Sequence, residues 1–541
     1  MSTSNILRGT FILTLGTMLS RVLGLVYIFP FYTLVGKSGG ELYTYAYVLY
    51  SVVLSVATMG VPLAVSKFVA KYNALDEYAV GRKLFRSGIL LMSITGIVSF
   101  LVLYLLAPVF SPMIINDGSK HSYDDITLVI RMVSFALLLV PVMSLIRGFF
   151  QGHESMGPTA VSQVVEQLAR IIFLLGSVYI IMKVTEGSLP TAIGYATFGA
   201  FIGAVAGLAI LIWYWFSRKK HLDNLLEKDK GTMDISYKEM YKEIVLYAAP
   251  FVFVGLAMPL YQLVDTFSFN KFMAMAGYDD VYSGDAFAII NNYGQKLVMI
   301  PITLATAFAL SLLPAITKSF ISNNLDVLQR QMSKTFQILL YLTIPACIGL
   351  SILGGPAFAA FYSYDELGGY LLTWYAPTAI PLALFTVTAS VLQGINRQKY
   401  TVYGLALGIG LKLVLNFPLI FLMGAEGSIV ATGIGYTASV VMNLWAIKKY
   451  TGFDYSIVFR RTMLMTIFNI AMIVGVLIVL QLLEGFIPYS DGRMQAIFVI
   501  FISAAVGAGI YFFLSYRSNL LMYLFGNRFP FLNRKTGERG L

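Results

Sequence analysis

Cysteine is almost missing from this sequence. Cys347 is the one cysteine in 541 residues, so no disulfide framework can form within the chain. Three histidines and no Cys/His cluster leave no metal-ligand pattern. Charge is scarce as well: Asp, Glu, Lys and Arg make up 12% of the residues, about half of the roughly 25% usual in soluble domains. No Walker A loop, nucleophile elbow or HExxH helix occurs. The sequence therefore calls for no cofactor and no catalytic centre. Without an ATP site, any work must come from a gradient, the membrane potential or downhill flow.

Apolar residues fill the space that charge leaves. They make up 58% of the chain, and the mean hydropathy is +0.76. Water cannot solvate so much apolar surface, and the bilayer must act as solvent. Fourteen apolar runs long enough to span recur from 6–34 to 494–516, which predicts an all-α integral membrane protein with about 14 transmembrane helices. The first run is too long for a signal-peptide core and carries no small-residue cleavage site. With a cytoplasmic N-terminus, twenty-eight Lys and Arg fall on the cytoplasmic side and five on the outer side (Lys37, Lys120, Lys183, Lys271 and Arg493). That asymmetry places both termini in the cytoplasm. It also accounts for the net charge of +11 without nucleic acid, the basic loops facing anionic lipid headgroups.

A weak internal repeat divides the chain. Gln151-Gly152 matches Gln393-Gly394 at an offset of 242, and the same offset sets Arg170 on Lys412. Ser66-Lys67 matches Thr317-Lys318, and Lys83-Leu84-Phe85 matches Lys334-Thr335-Phe336, at an offset of 251. The expectation is two six-helix lobes in a parallel repeat, 1–216 and 242–449, with substrate held between them. A cytoplasmic linker with an amphipathic helix (217–241) joins them. Two further helices (450–516) and a basic cytoplasmic tail (517–541) follow.

Seven ionisable groups fall inside spans: Arg21, Arg131, Arg170, Lys296, Lys412, Glu166 and Asp265. A charge at the bilayer centre costs on the order of 3 kcal/mol, so each needs a wet cavity or a partner. Arg21 and Lys296 lie near mid-membrane and suit an anion contact. Glu166 and Arg170, four residues apart, can pair with each other on one helix or serve substrate. Lys412 shares a helix face with Asn416 and can pair with Asp265 or meet substrate. Arg131, near a span end, can snorkel. The surplus of three positive charges suits a phosphate or pyrophosphate, whose oxygens match the guanidinium fork. A cavity for cationic drugs would carry surplus acid.

These features resemble the multidrug/oligosaccharidyl-lipid/polysaccharide exporter superfamily, and within it the MurJ-type lipid II flippases of Gram-positive bacteria. The resemblance rests on the string Gly16-Thr-Met-Leu-Ser-Arg21-Val-Leu-Gly24, the Gly60-Val-Pro62 break, the Gln-Gly ends of spans four and ten, and the 12+2 helix count. It implies alternating access in the bacterial cytoplasmic membrane, with undecaprenyl-pyrophosphate-linked glycan (lipid II) as cargo. It also implies a lipid groove on the last two helices and a link to the cell-wall synthesis machinery. It assigns anion binding to Arg21 and Lys296, and it sets Asp265 and Asn416 where relatives with an ion site use acidic and amide groups; the charges inside the spans add Arg170, Lys412 and Glu166 as further substrate-binding candidates. The sequence departs from the family at Tyr27 and Gln295, where relatives carry charges. Alternatives are a flippase for another undecaprenyl-pyrophosphate-linked polysaccharide, a sporulation paralogue and a cation-coupled multidrug exporter.

Overall fold

The computed structural model describes residues 3–58, 60–116, 119–232, 235–322 and 324–525. The predicted basic tail beyond 525 lies outside the described residues. Helices account for nearly all of the rest, and no strand occurs among the described residues. The chain divides into two compact units, Met1–Ala288 and Ile289–Leu541.

The first unit contains α1 (Thr3–Val26), α2 (Ile28–Thr58), α3 (Val61–Ala74), α4 (Tyr78–Ile114) and α5 (Tyr123–Ser134). It continues with α6 (Val140–Gly152), α7 (Gly157–Tyr179), α8 (Leu189–Leu226), α9 (Tyr237–Met275) and α10 (Asp280–Ala288). Local chemistry sets several ends. Gly36 kinks α2 and Gly60 separates α2 from α3, both at φ 63°, a backbone region where a Cβ is penalised. Ser122 and Asp125 close a capping box at the start of α5, satisfying two backbone donors left over at the helix end. A 3₁₀ turn over Phe135–Leu138 divides the fourth span into α5 and α6.

Within the predicted linker, α8 continues unbroken to Leu226 and α9 begins at Tyr237. The stretch between them docks on the α3–α4 turn. Lys230 Nζ lies 2.8 Å from Asp76 and holds that carboxyl below its usual range. The pair is solvent-exposed, and such pairs contribute little to stability.

The second unit opens with a π turn over Ile289–Tyr293 and then α11 (Gly294–Ile321), α12 (Leu325–Ile352), α13 (Gly354–Phe361), α14 (Glu366–Tyr375) and α15 (Ala379–Gly394). It ends with α16 (Lys399–Met423), α17 (Ala425–Thr451), α18 (Ser456–Phe486), α19 (Arg493–Arg517) and α20 (Leu520–Phe525). α18 and α19 pack on α12, where the Tyr511 hydroxyl donates to the Tyr341 carbonyl at 3.1 Å.

Eleven stretches of described helix are long and apolar enough to cross a bilayer. The first, Leu15–Thr58, runs through α1 and α2 as one 44-residue stretch. α9 and α11 cover two further predicted spans. Large apolar side chains point outward, Phe486 at 85% exposure and Leu422 at 77%. The protein is a multi-pass α-helical membrane protein.

Lipid tails are as apolar as leucine, so helix association in a bilayer depends on close packing by small residues. Gly203 of α8 shows this at the level of the candidate site. A Cβ there would lie 2.7 Å from the Glu166 carbonyl oxygen and 2.9 Å from Arg170 Cβ. The sequence repeat also has a structural counterpart in each unit. A Cβ on Gly152 would lie 2.6 Å from Val69 Cβ and 2.9 Å from the Ser66 carbonyl oxygen, and one on Gly394 would lie 2.6 Å from Ile316 Cγ2 and 3.5 Å from Thr317 Oγ1. The two matched Gln-Gly pairs thus end helices that rest on matched residues, Ser66 and Thr317.

Candidate functional site

Arg170, on α7, turns toward α2 and meets a tyrosine cluster. Its guanidinium donates to the Tyr43 hydroxyl at 2.7 Å and the Tyr47 hydroxyl at 3.3 Å. It lies 5.1 Å from the Tyr47 ring centroid, within cation–π range. Tyr43 and Tyr47 stack at 5.4 Å, and Tyr27 adds a third hydroxyl 3.4 Å from that of Tyr43. One turn apart on α2, Tyr43 and Tyr47 present one face to α7. Phenols orient the guanidinium without neutralising it. Its Nε is buried with no hydrogen-bond acceptor among the described residues. Arg170 therefore keeps its full positive charge and a spare donor.

Glu166 does not supply the missing anion. An intrahelical pair with Arg170 is one of the two arrangements the spacing allows, yet the carboxylate lies 2.8 Å from Arg147 of α6. Ser162 accepts from Arg147 Nε at 2.9 Å, which fixes the guanidinium in place. The sequence count put Arg147 in a cytoplasmic segment, whereas in the fold its charge-bearing end serves span five. Glu166 is thereby neutralised, and the positive surplus at Arg170 is preserved. Arg147→Ala should release Glu166 toward Arg170 and weaken binding of an anion at Arg170 about tenfold, a loss of roughly 1.4 kcal/mol. Adding Glu166→Gln should restore most of it. Failure of the second substitution to rescue would rule out this charge relay.

The other candidates have distinct environments. Arg21 is exposed on α1, with no ion pair or hydrogen bond among the described residues. The glycines on either side of it explain its placement: Gly16 abuts Ala160 and Gly24 abuts Gln167 of α7, and Thr17 donates to Gln163 at 3.2 Å. The Gly16–Gly24 string is therefore the contact that seats α1 on α7. Lys296 is half-buried near the start of α11, after the π turn that ends at Tyr293. Tyr293 is pinned by Tyr362, whose hydroxyl donates to its carbonyl at 2.9 Å. Lys296 too has no ion pair or hydrogen bond among the described residues.

Lys412 is fully buried on α16 and donates to Thr432 Oγ1 of α17 at 2.6 Å. Ser428 offers its hydroxyl and carbonyl oxygens at 3.4 Å. Asn416 is buried one turn further along α16, and Asp265 is buried on α9 of the first unit. Arg131 lies 5.0 Å from the Tyr104 ring centroid and donates to the Tyr104 carbonyl at 3.4 Å, a structural anchoring.

One polar centre escaped the sequence reading. Glu41 was counted between spans, but α2 continues through it and buries it to 1% exposure. Its carboxylate accepts from the Tyr45 hydroxyl at 2.7 Å and lies 3.2 Å from His121 Nε2 and 3.3 Å from Lys120 Nζ. Asp285 of α10 takes Lys37 at 2.9 Å and Lys120 at 3.0 Å. Asn270 of α9 donates to Tyr45. A Cβ on Gly284 would meet the Glu41 carboxylate at 2.5 Å, so that glycine admits the acid. The two acids and two lysines balance, so the network leaves the surplus cations of the spans untouched. The available signal was Glu41 four residues before Tyr45, spaced for one helix face beside two glycines.

Comparison with known proteins identifies the family. The family described as polysaccharide biosynthesis protein matches residues 6–320. A Bacillus subtilis (strain 168) relative, lipid II flippase MurJ, is 50% identical over 99% of this chain and 100% of its own length. A solved structure of lipid II flippase MurJ in an inward closed conformation aligns with a TM-score of 0.65 at 15% identity, over 94% of this chain and 100% of that one. An inward-facing multidrug resistance MATE family transporter of the MOP superfamily aligns at 0.61 and 15% identity, over 79% of this chain and 99% of that one. At such identities the two structures speak for the fold alone. The chain belongs to the polysaccharide biosynthesis protein family, in its MurJ-type branch.

Proposed function

We infer that this protein is a lipid II flippase, a transporter and not an enzyme, which carries the lipid-linked peptidoglycan precursor across the membrane. The observation that carries this is the uncompensated charge at Arg170, held by phenols while its nearest acid is taken by Arg147. Such a group favours a multiply charged anion over a cationic drug. The full-length similarity to the Bacillus subtilis lipid II flippase supports lipid II as that anion.

Transport proceeds by alternating access in the bacterial cytoplasmic membrane, with both termini on the cytoplasmic side. Arg21 and Lys296 bind the pyrophosphate, and Arg170 and Lys412 add to the field that attracts it. Asp265 in the first unit and Asn416 in the second are each a candidate ligand or partner for an ion. The undecaprenyl tail runs along α18 and α19. Anionic lipids meet the basic loops, and the cell-wall synthesis machinery receives the product.

Competition binding on the purified protein in nanodiscs tests the assignment, with lipid II, a second undecaprenyl-pyrophosphate glycan and a cationic dye as probes. Selective binding of lipid II is expected. Equal binding of both glycans would reassign the cargo to polyprenyl glycans in general. Preference for the dye would overturn the anion site.

A further inference from the structure

In the second unit, α12, α14, α15, α16 and α17 line an open apolar groove of about 1190 Å³. α17 forms one wall from Ile429 to Trp445, a length of about 24 Å at the helical rise. That is most of the roughly 30 Å hydrocarbon thickness of a bilayer. Trp374, Pro381 and Leu407 belong to the facing walls.

The hydroxyls in the lining are spent on helix backbone. Ser351 donates to the Thr373 carbonyl at 2.7 Å, Thr373 to Gly369 at 3.1 Å, Thr378 to Tyr375 at 2.7 Å and Thr437 to Gly433 at 2.7 Å. The surface that remains suits hydrocarbon.

One end of the groove is different. Trp445 marks it, with Lys449 Nζ 4.9 Å from its ring centroid. Beside it, Arg397 lies 4.4 Å from the centroid of Tyr450, and the Tyr450 hydroxyl hydrogen-bonds that of Tyr400 at 2.5 Å. Lys399 lies 5.6 Å from the Tyr400 ring centroid. Lys399, Lys448 and Lys449 are exposed. Asp454, the acid near Lys448, already accepts from the Ser456 backbone N–H at 2.9 Å and from its hydroxyl. A hydrocarbon slot with an aromatic, cationic mouth is complementary to an acyl chain below a negative headgroup.

We propose that this groove is a binding site for one anionic glycerophospholipid, with its acyl chains along α17 and its phosphate at Arg397, Lys399, Lys448 and Lys449. It is separate from the α18–α19 path proposed for the cargo tail. It does not depend on which glycan the protein carries.

Native mass spectrometry of the full-length protein in mild detergent tests it, with phosphatidylglycerol, phosphatidylcholine of the same chains and undecaprenyl phosphate as probes. One phosphatidylglycerol should be retained in preference to phosphatidylcholine. Lys448→Gln and Lys449→Gln should each weaken retention about fivefold. Gly433→Leu should abolish it by filling the slot. A Cβ at that position meets only Thr378 Cγ2, at 3.6 Å, so the helix itself accepts the change, and an unaltered melting temperature would verify that. Equal retention of the two phospholipids, or unchanged retention in Gly433→Leu, would overturn the site. Preferential retention of undecaprenyl phosphate, lost in Gly433→Leu, would overturn it in favour of a polyprenyl chain.

Discussion

Replacing Arg21 with alanine is expected to abolish flipping while the protein still inserts and folds. The expectation rests on two features of α1. Its packing on α7 runs through Gly16, Thr17 and Gly24, none of which the substitution alters. The guanidinium itself is exposed and contributes no ion pair or hydrogen bond to the described structure. An exposed arginine well inside a first span is expensive in the bilayer, and a structure with no use for it would gain stability by losing it. Charge-assisted hydrogen bonds contribute about 1.5–3 kcal/mol each, so the variant should bind pyrophosphate-bearing lipid about 10- to 100-fold more weakly. Rescue of flippase-depleted cells, read beside the amount of protein in membranes, measures both halves. Normal rescue by Arg21→Ala would end the anion role assigned to this residue.

The largest effect on stability is expected at Glu41. Glu41→Ala removes the acceptor for Tyr45 and the anion facing Lys120 and His121. Breaking one side of a buried ion pair costs about 3–5 kcal/mol, because the partner is left buried and uncompensated. A drop in melting temperature of about 10 °C follows at 2–4 °C per kcal/mol. Glu41→Gln should fall less, since its amide oxygen still accepts from Tyr45. Lys120→Ala should fall least: its side chain is 22% exposed, and Asp285 retains Lys37. Thermal scanning in detergent should therefore rank the variants, from least to most stable, as Glu41→Ala, Glu41→Gln and Lys120→Ala. Melting temperatures equal to that of the unsubstituted protein for all three would show that the network carries no stability.

The residues that are legible without a structure are those whose meaning is local. Apolar run length fixes spans, because the bilayer thickness is constant along the chain. The bias of Lys and Arg between alternate loops supplies the expected topology. Arg21, Lys296, Arg170 and Lys412 stand out for the same reason, each being a charge inside a run that should have none.

Only the tertiary structure decides what each charge faces. Spacing along α7 allowed Glu166 to meet Arg170, but Arg147, nineteen residues away in sequence, holds it at 2.8 Å, and tyrosines of α2 hold Arg170. Glu41 looked like a loop residue because a short polar stretch interrupts two apolar runs. The kink at Gly36 lets the helix continue, so that Glu41 meets residues from the α4–α5 connection and from α10. The groove along α17 is likewise invisible in any single helix, since it is space left between five. Hydropathy and periodicity are sums over neighbours in sequence. Charge pairing and cavity shape depend on distances between residues far apart in the chain, and close helix packing, permitted here by glycines such as Gly203, sets those distances.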